Sequence, residues 1–105
     1  GSYFFERPEQ YDQKVIGKRW NDDARKFFSG LPKVIRESKE SAGEIETAFK
    51  SYADSLQIKP NSMLQLLRVL VTGMPSGPGL FETIAHLGNS ECADRIDVAL
   101  GKLSS

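Results

Sequence analysis

The feature of this sequence that most constrains its fold is an apolar segment that runs directly into a loop of glycines and prolines. Between Met63 and Val71 only Gln65 and Arg68 are polar. Such a segment is too apolar for a surface helix and too short to cross a bilayer. We therefore predict a helix at the centre of a small core. Its polar positions recur every three or four residues and form one narrow stripe along the helix, made of Asn61, Gln65, Arg68 and Thr72.

The stripe must face something other than the core, and Arg68 is its charged residue. An unpaired buried charge is costly, so the guanidinium needs an anionic partner or access to water. Two interpretations stay open. Either Arg68 reaches the surface or pairs with a carboxylate such as Glu82, or its planar donor group binds a base edge or a phosphate of a nucleic acid.

The loop from Gly73 to Leu80 is either a tight connection between helices or part of a binding site. It lacks the lysine followed by serine or threonine that a nucleotide-phosphate loop requires, which excludes ATP binding there. It offers backbone N–H groups at the start of a helix, and close approach to the backbone at Gly77 and Gly79. Such donors can bind the edge of an unstacked base or hold a phosphate.

Composition limits the other functional classes. A chain of 105 residues fits one domain, and its single cysteine, Cys92, excludes an internal disulfide and a multi-cysteine zinc site. The cysteine is interpreted as a packing residue and favours a reducing cytoplasm. Because 14 basic residues balance 14 acidic ones, any nucleic-acid site must be a local patch. No run approaches a membrane span, so no membrane partner is expected.

Helical spacing of apolar residues covers most of the remaining chain. Ser41 and Glu44 have the capping-box pattern just before the clearest amphipathic helix, and no stretch alternates long enough to indicate a strand. We predict an all-α fold, a compact bundle of five to six helices. The predicted boundaries are a first helix from Glu9 to Trp20, a kink or a short break near Gly30 to Pro32, and caps at Asn21, at Asn61 or Ser62 and at Ser90. A helix opened by Pro78 and a stop at Gly88 are also predicted.

Several short motifs follow one another in a recognisable order. They read Tyr11-Asp12-Gln13-Lys14, Leu67-Arg68-Val69, Val71-Thr72-Gly73, Gly77-Pro78-Gly79-Leu80-Phe81, Leu87-Gly88, Arg95-Ile96 and Ala99-Leu100. This order resembles the C-terminal anticodon-binding domain of prokaryotic-type glutamyl-tRNA synthetases. The resemblance is clear over about residues 60 to 103 and weaker over about residues 3 to 57. It implies the all-α anticodon-binding fold of these class I enzymes.

The resemblance also implies a set of site residues. At the position of Arg68 the family has an arginine that contacts anticodon bases, and residues at the positions of Gly77, Pro78 and Leu80 touch the middle and last anticodon nucleotides. Some family members carry threonine or serine where this chain has Gly77, so only main-chain contacts are expected there. The basic residues of the first helix are either a solvated face or contacts to the tRNA backbone, and they include Lys14, Lys18 and Arg19.

A role as one part of a synthetase follows from the same resemblance. The parent enzyme would ligate glutamate to tRNA(Glu) with ATP and Mg in a separate catalytic domain, so this fragment would need no cofactor and would be inactive alone. The expected partners are the anticodon loop of tRNA(Glu) and the remainder of the synthetase, with the chain a cytoplasmic monomer. We interpret residues 1–2 as an expression scar, 3–59 as an N-terminal helical part and 60–105 as the part that reads the anticodon.

Two other functional classes compete with anticodon binding. The first is a helical protein–protein interaction module without RNA binding, which an exposed apolar patch from Met74 to Phe81 would favour. The second is a small enzyme, for which the only candidate residues are one histidine, His86, and one cysteine, Cys92. One histidine and one cysteine do not make a nucleophilic site without orienting partners.

Overall fold

A computed structural model of the chain describes residues 6–103, which form six α-helices and no strand within that range. This confirms the predicted all-α bundle. The proposed expression scar at residues 1–2 lies outside the described residues. No helix in the described part is long and apolar enough to cross a membrane. The helices are α1 (Gln13–Arg19), α2 (Asp22–Glu37), α3 (Ala42–Ser55), α4 (Asn61–Thr72), α5 (Leu80–Leu87) and α6 (Asn89–Leu103).

The central helix predicted from the apolar segment is α4. Five of its side chains are completely shielded from solvent, namely Leu66, Leu67, Val69, Leu70 and Val71. It packs against α1 on one side and α6 on another. The polar stripe remains outside this core, since Gln65, Arg68 and Thr72 are only half-buried.

The other helices complete one core with α4. The pair α2 and α6 has the most extensive interhelical contact, α2 also packs on α3, and α5 packs on α3 and α6. Aromatic rings fill the space between α2 and α3. The ring of Phe27 lies 5.5 Å from that of Phe49 and 5.0 Å from that of Tyr52. Because edge-to-face aromatic pairs add stability beyond burial, this cluster fixes the two helices against each other.

Of the kink or short break predicted near Gly30 to Pro32, the break is absent, because α2 runs through both residues to Glu37. The presence of glycine at position 30 is explained by a packing contact and not by a break in the helix. The hydroxyl of Tyr52 lies where a β-carbon on Gly30 would be, and it donates a hydrogen bond of 2.6 Å to the carbonyl of Phe27. A larger residue at position 30 would therefore displace a tyrosine that joins α3 to α2.

The first helix begins later than predicted, at Gln13 instead of Glu9. The Asp12 side chain caps it by accepting a hydrogen bond from the Val15 N–H, at 3.0 Å. The residues before the cap cross the C-terminal end of α4, where the Asp12 N–H donates to the carbonyl of Gly73 at 3.1 Å. Because this tertiary hydrogen bond uses the Asp12 N–H, the helix does not extend back towards Glu9.

The predicted caps have mixed outcomes. Asn21 and Ser41 cap α2 and α3 with their side chains, and Gly88 ends α5, as predicted. The other predicted caps are wrong. Helix α4 begins after Pro60 without a side-chain cap, so Asn61 and Ser62 lie inside it. Helix α6 already includes Ser90, and α5 is capped by Gly79, one residue after Pro78. In each case the boundary differs from the sequence prediction by one or two residues, the usual uncertainty of helix ends.

A buried arginine, Arg95, joins α6 to the end of α4. Its side chain is 1% exposed, and it donates to the carbonyl of Val71 at 2.9 Å and to the carboxylate of Glu91 at 2.8 Å. Glu91 also accepts two hydrogen bonds of 3.0 Å from Arg7. These two arginines, Arg7 first, lower the pKa of Glu91 to about 2. The ion pair thus neutralises a charge that would be costly to bury alone.

We expect the substitution Gly73→Ala to destabilise the chain by more than about 1 kcal/mol. Gly73 has a φ of 82°, a left-handed conformation that suits glycine, and a β-carbon there would lie 2.8 Å from the Gln10 carbonyl oxygen. Urea denaturation provides the measurement. The control is Gly17→Ala in α1, where a β-carbon meets nothing within 4 Å. Alanine there should stabilise, because glycine in a helix costs about 0.5–1 kcal/mol. Equal effects of the two substitutions would contradict the assigned role of Gly73.

We also expect the unfolding free energy to decrease as the pH falls from about 4.5 towards about 2. The pKa of Glu91 is lowered from 4.5 to about 2 in the folded chain, so the folded state holds this carboxylate ionised and its stabilisation is complete above pH 4.5. Glu91→Gln should flatten this part of the pH profile and lower stability at neutral pH by about 1–3 kcal/mol, because Arg95 loses its counter-charge. Thermal denaturation between about pH 2 and pH 4.5 provides the measurement. If stability falls as steeply with pH in Glu91→Gln as in the unaltered chain, Glu91 is not the group responsible.

Candidate nucleic-acid interface

The polar stripe of α4 holds the glycine and proline loop, residues 73–79, against the helix. Arg68 donates from Nη1 to the carbonyl of Pro78 at 2.7 Å, and Gln65 donates to the carbonyl of Pro75 at 3.4 Å. The Thr72 hydroxyl lies 3.2 Å from the Met74 N–H, which donates to it. The stripe therefore faces the loop, which agrees with its predicted exclusion from the core.

Arg68 uses only part of its hydrogen-bonding capacity in this contact. A guanidinium has five N–H donors in a rigid plane, and the bond to Pro78 takes one of them. Among the described residues Arg68 has no carboxylate within ion-pair distance, so the alternative pairing with Glu82 is not found. The Pro78 carbonyl orients the Arg68 guanidinium, and the other N–H donors of Arg68 can bind a ligand.

The guanidinium lies at a groove of about 360 Å³ between α4 and the start of α5. We call this the reading groove, and its lining residues are Leu64, Gln65, Arg68, Pro75, Leu80 and Phe81. Leu80 is only 7% exposed, so it contributes to the floor of the groove and does not project from it. Apolar surface with a few oriented polar groups is typical of a site that accepts a flat, partly apolar ligand such as a base.

Gly77 and Pro78 are exposed in the loop beside Arg68. A β-carbon on Gly77 would lie 3.3 Å from Nη1 of Arg68, which is tighter than ordinary contact. The absent side chain lets the guanidinium lie directly against the loop backbone. Arg68, Gly77, Pro78 and Leu80, which the sequence analysis selected, therefore come together around one short segment of main chain.

The basic residues of α1 line a second groove of about 390 Å³, which we call the α1 groove. It includes Lys14, Lys18 and Arg19, and it shares Gln65 and Pro75 with the reading groove. Arg19 donates from Nε to Oε1 of Gln65 at 3.2 Å. The fold thus places the two predicted groups of residues on either side of Gln65.

Gln65 is a residue of this region to which the sequence analysis assigned no role. It accepts from Arg19 and donates to Pro75, so one side chain contacts both α1 and the loop. Its position three residues before Arg68 on the same stripe was the available signal, but the partners of that stripe were unknown from sequence.

Cys92, one of the two residues considered for an enzyme, is not placed as a nucleophile. Cys92 is fully buried in the core, and burial raises the pKa of its thiol to about 12, far from a reactive thiolate. Within residues 6–103 no group of three or more histidine, cysteine, aspartate or glutamate residues is placed to hold a metal ion. Cys92 is thus a small packing residue, in agreement with the sequence interpretation.

Comparison with known proteins gives a consistent result. The family model described as anticodon binding domain matches residues 1–100. Glutamate–tRNA ligases from Chlorobium phaeobacteroides and Syntrophomonas wolfei are 30% and 34% identical to the chain and align with 94% and 93% of it. The chain spans about a fifth of the length of these relatives, 20% in both cases.

The fold is also similar to a solved structure. A glutamate tRNA ligase from Elizabethkingia meningosepticum, crystallised in complex with its amino acid, superposes with a TM-score of 0.90. The match covers 98% of this chain and 20% of that one, at 24% sequence identity. At this identity the likeness concerns the fold, and it includes the all-α arrangement described above.

The bond between Arg68 and Pro78 predicts a measurable effect of Arg68→Met on the loop. Removing this charge-assisted hydrogen bond should lower the unfolding free energy by about 1 kcal/mol and increase amide hydrogen exchange from Gly77 to Leu80. Arg25→Met is the matched control, because the Arg25 side chain forms, among residues 6–103, a single exposed ion pair, at 3.6 Å from Asp22. If the two variants exchange alike in the loop, Arg68 does not hold it.

Proposed function

Because this chain belongs to the anticodon-binding domain family, we propose that it binds the anticodon loop of tRNA(Glu) as the anticodon-binding part of a glutamate–tRNA ligase. The observation that carries the proposal is the 2.7 Å hydrogen bond from Arg68 to the Pro78 carbonyl. It fixes a planar cation at the edge of an apolar groove and next to exposed main chain, the combination that unstacked bases require.

In this proposal, bases that leave the stacked helix enter the reading groove. The unused donors of Arg68 bind the acceptor atoms of one base edge, and the main chain at Gly77 and Pro78 binds a neighbouring base. Leu80 supplies apolar contact from the floor of the groove. A good bidentate contact discriminates between bases by about 1–3 kcal/mol, by analogy with DNA. Residues 60–105 would carry this reading surface on the support of residues 3–59.

The basic side chains of α1 take a different role in the proposal. Lys14, Lys18 and Arg19 contact the phosphodiester backbone next to the bases, which contributes affinity and register but no sequence information. The described residues give Lys14 and Lys18 no carboxylate partner within ion-pair distance. The carboxylate of Asp12, which lines the same groove, caps α1 and accepts a hydrogen bond from the Val15 N–H.

The ligase chemistry belongs to other parts of the proposed parent. Glutamate activation with ATP and Mg would occur in a catalytic domain outside this chain. The described residues do not fit that cofactor, because the loop after α4 lacks the lysine and neighbouring hydroxyl of a phosphate-binding loop. We propose a monomeric cytoplasmic chain whose partners are tRNA and the remainder of the synthetase.

The exposed apolar surface does not favour the alternative of a protein-interaction module. Between Met74 and Phe81, Met74 is the large hydrophobic residue with substantial exposure, at 41%. Leu80 is buried, and the ring of Phe81 packs 5.7 Å from that of Phe49. The loop therefore presents no broad apolar patch of the kind that marks such interfaces.

The proposal predicts selective binding of a glutamate anticodon stem-loop. In backbone amide NMR at low salt, Arg68 and residues 77–80 should shift, and binding should weaken by about 10-fold or more when the middle anticodon base is changed. Arg68→Lys should keep the charge and lose much of this discrimination, because lysine lacks the planar donor pair. Equal binding of both loops would contradict anticodon reading and leave only general affinity for RNA.

A further inference from the structure

A third groove continues the α1 groove away from the reading groove. It has a volume of about 420 Å³ and lies between the end of α1, the start of α2 and the connection from α3 to α4. Lys18 and Arg19 line both this groove and the α1 groove, so the two grooves are neighbours. The residues that it adds include Lys59, which neither the sequence analysis nor the family resemblance selected.

The three grooves carry more positive charge than the rest of the chain. Their cations are Arg68, Lys14, Lys18, Arg19 and Lys59, and their carboxylates are Asp12 and Asp23. The whole chain, in contrast, has a formal net charge of zero. A basic path on a neutral protein attracts a polyanion locally, and a phosphodiester backbone is a polyanion that extends along a path.

Lys59 projects from a fixed point of the backbone. Its carbonyl accepts hydrogen bonds from the Ser62 hydroxyl at 2.7 Å and from the Ser62 N–H at 3.0 Å. In the described part of the chain Lys59 has no carboxylate within ion-pair distance. An exposed lysine on a rigid turn can contact a phosphate without first breaking another interaction.

We propose that the RNA strand that leaves the reading groove continues through the α1 groove into the third groove, where Lys59 contacts its phosphodiester backbone. This inference rests on the proposed anticodon function. It adds a phosphate site on the connection between α3 and α4. This site lies in the third groove, whereas the bases lie in the reading groove. Lys59 contributes affinity and no base discrimination, because phosphate contacts carry no sequence information.

The test measures the affinity of the chain for an anticodon stem-loop at several salt concentrations, by fluorescence anisotropy. Lys59→Gln should reduce the slope of log K against log salt by about 0.7, and weaken binding about fivefold near 0.1 M salt. The ratio of affinities for the matched loop and for a loop with a changed middle base should stay as in the unaltered chain. The double variant with Lys18→Gln should lose about twice as much slope.

Lys33→Gln is the matched control, because Lys33 is also exposed and without an ion pair among the described residues, but it lines none of the three grooves. An unchanged slope in Lys59→Gln, or an equal loss in Lys33→Gln, overturns the inference. A change confined to self-association of the chain also overturns it, in favour of a protein contact. The proposed function fails separately if the unaltered chain binds the matched stem-loop and the stem-loop with a changed middle base equally. If the chain binds no RNA, the proposed function and this inference are both overturned.

Discussion

The C-terminal end of α4 is the point on which the rest of this structure depends. A buried helix leaves its last carbonyl groups without partners in its own ladder, and each must find one elsewhere. The Gly73 N–H bonds to the Val69 carbonyl at 2.7 Å, and Arg95 of α6 bonds to the carbonyl of Val71. The segment before α1 closes the same end, through the bond from Asp12 to Gly73. One helix end thereby positions α1, α6 and the loop at once.

The candidate site follows from this arrangement. Because the chain turns at Gly73, the loop folds back along the polar stripe of α4, where Gln65 and Arg68 bind its carbonyls. Because the segment before α1 bonds to the same turn, the basic helix lies beside the loop. Gly73 lines none of the three grooves, yet a substitution there would disturb the reading groove and the α1 groove. Binding and stability are therefore coupled at this end of the bundle.

Preorganisation explains why a small, neutral chain suits RNA recognition. The Arg68 guanidinium and the backbone of Lys59 are held by hydrogen bonds within the protein, so little ordering of the loop or of the main chain at Lys59 remains for the moment of binding. Discrimination then comes from the oriented donors at the reading groove, while the basic path contributes affinity that depends on salt. Separating these two roles in space lets each vary without the other.

Much of the fold was predictable from local sequence pattern. Apolar periodicity indicated the helices, Asn21 and Ser41 indicated their caps, and Gly88 a stop, because each of these signals acts through residues close in sequence. The family motifs indicated Arg68 and the loop as the candidate site. The predictions failed where a distant partner decides the outcome. Residues 9–12 have helical character, but the N–H of Asp12 bonds to the carbonyl of Gly73, and Gly30 faces the hydroxyl of Tyr52 within an unbroken helix.

The sequence by itself determined the helical class, the central helix and the stripe that had to leave the core, since these follow from the spacing of apolar and polar residues. Only the tertiary structure decided what that stripe faces, that Gln65 joins the loop to α1, and that Arg95 is buried at the end of α4. The physical reason is that an unpaired polar group requires a partner, and its type does not specify where in the chain the partner lies.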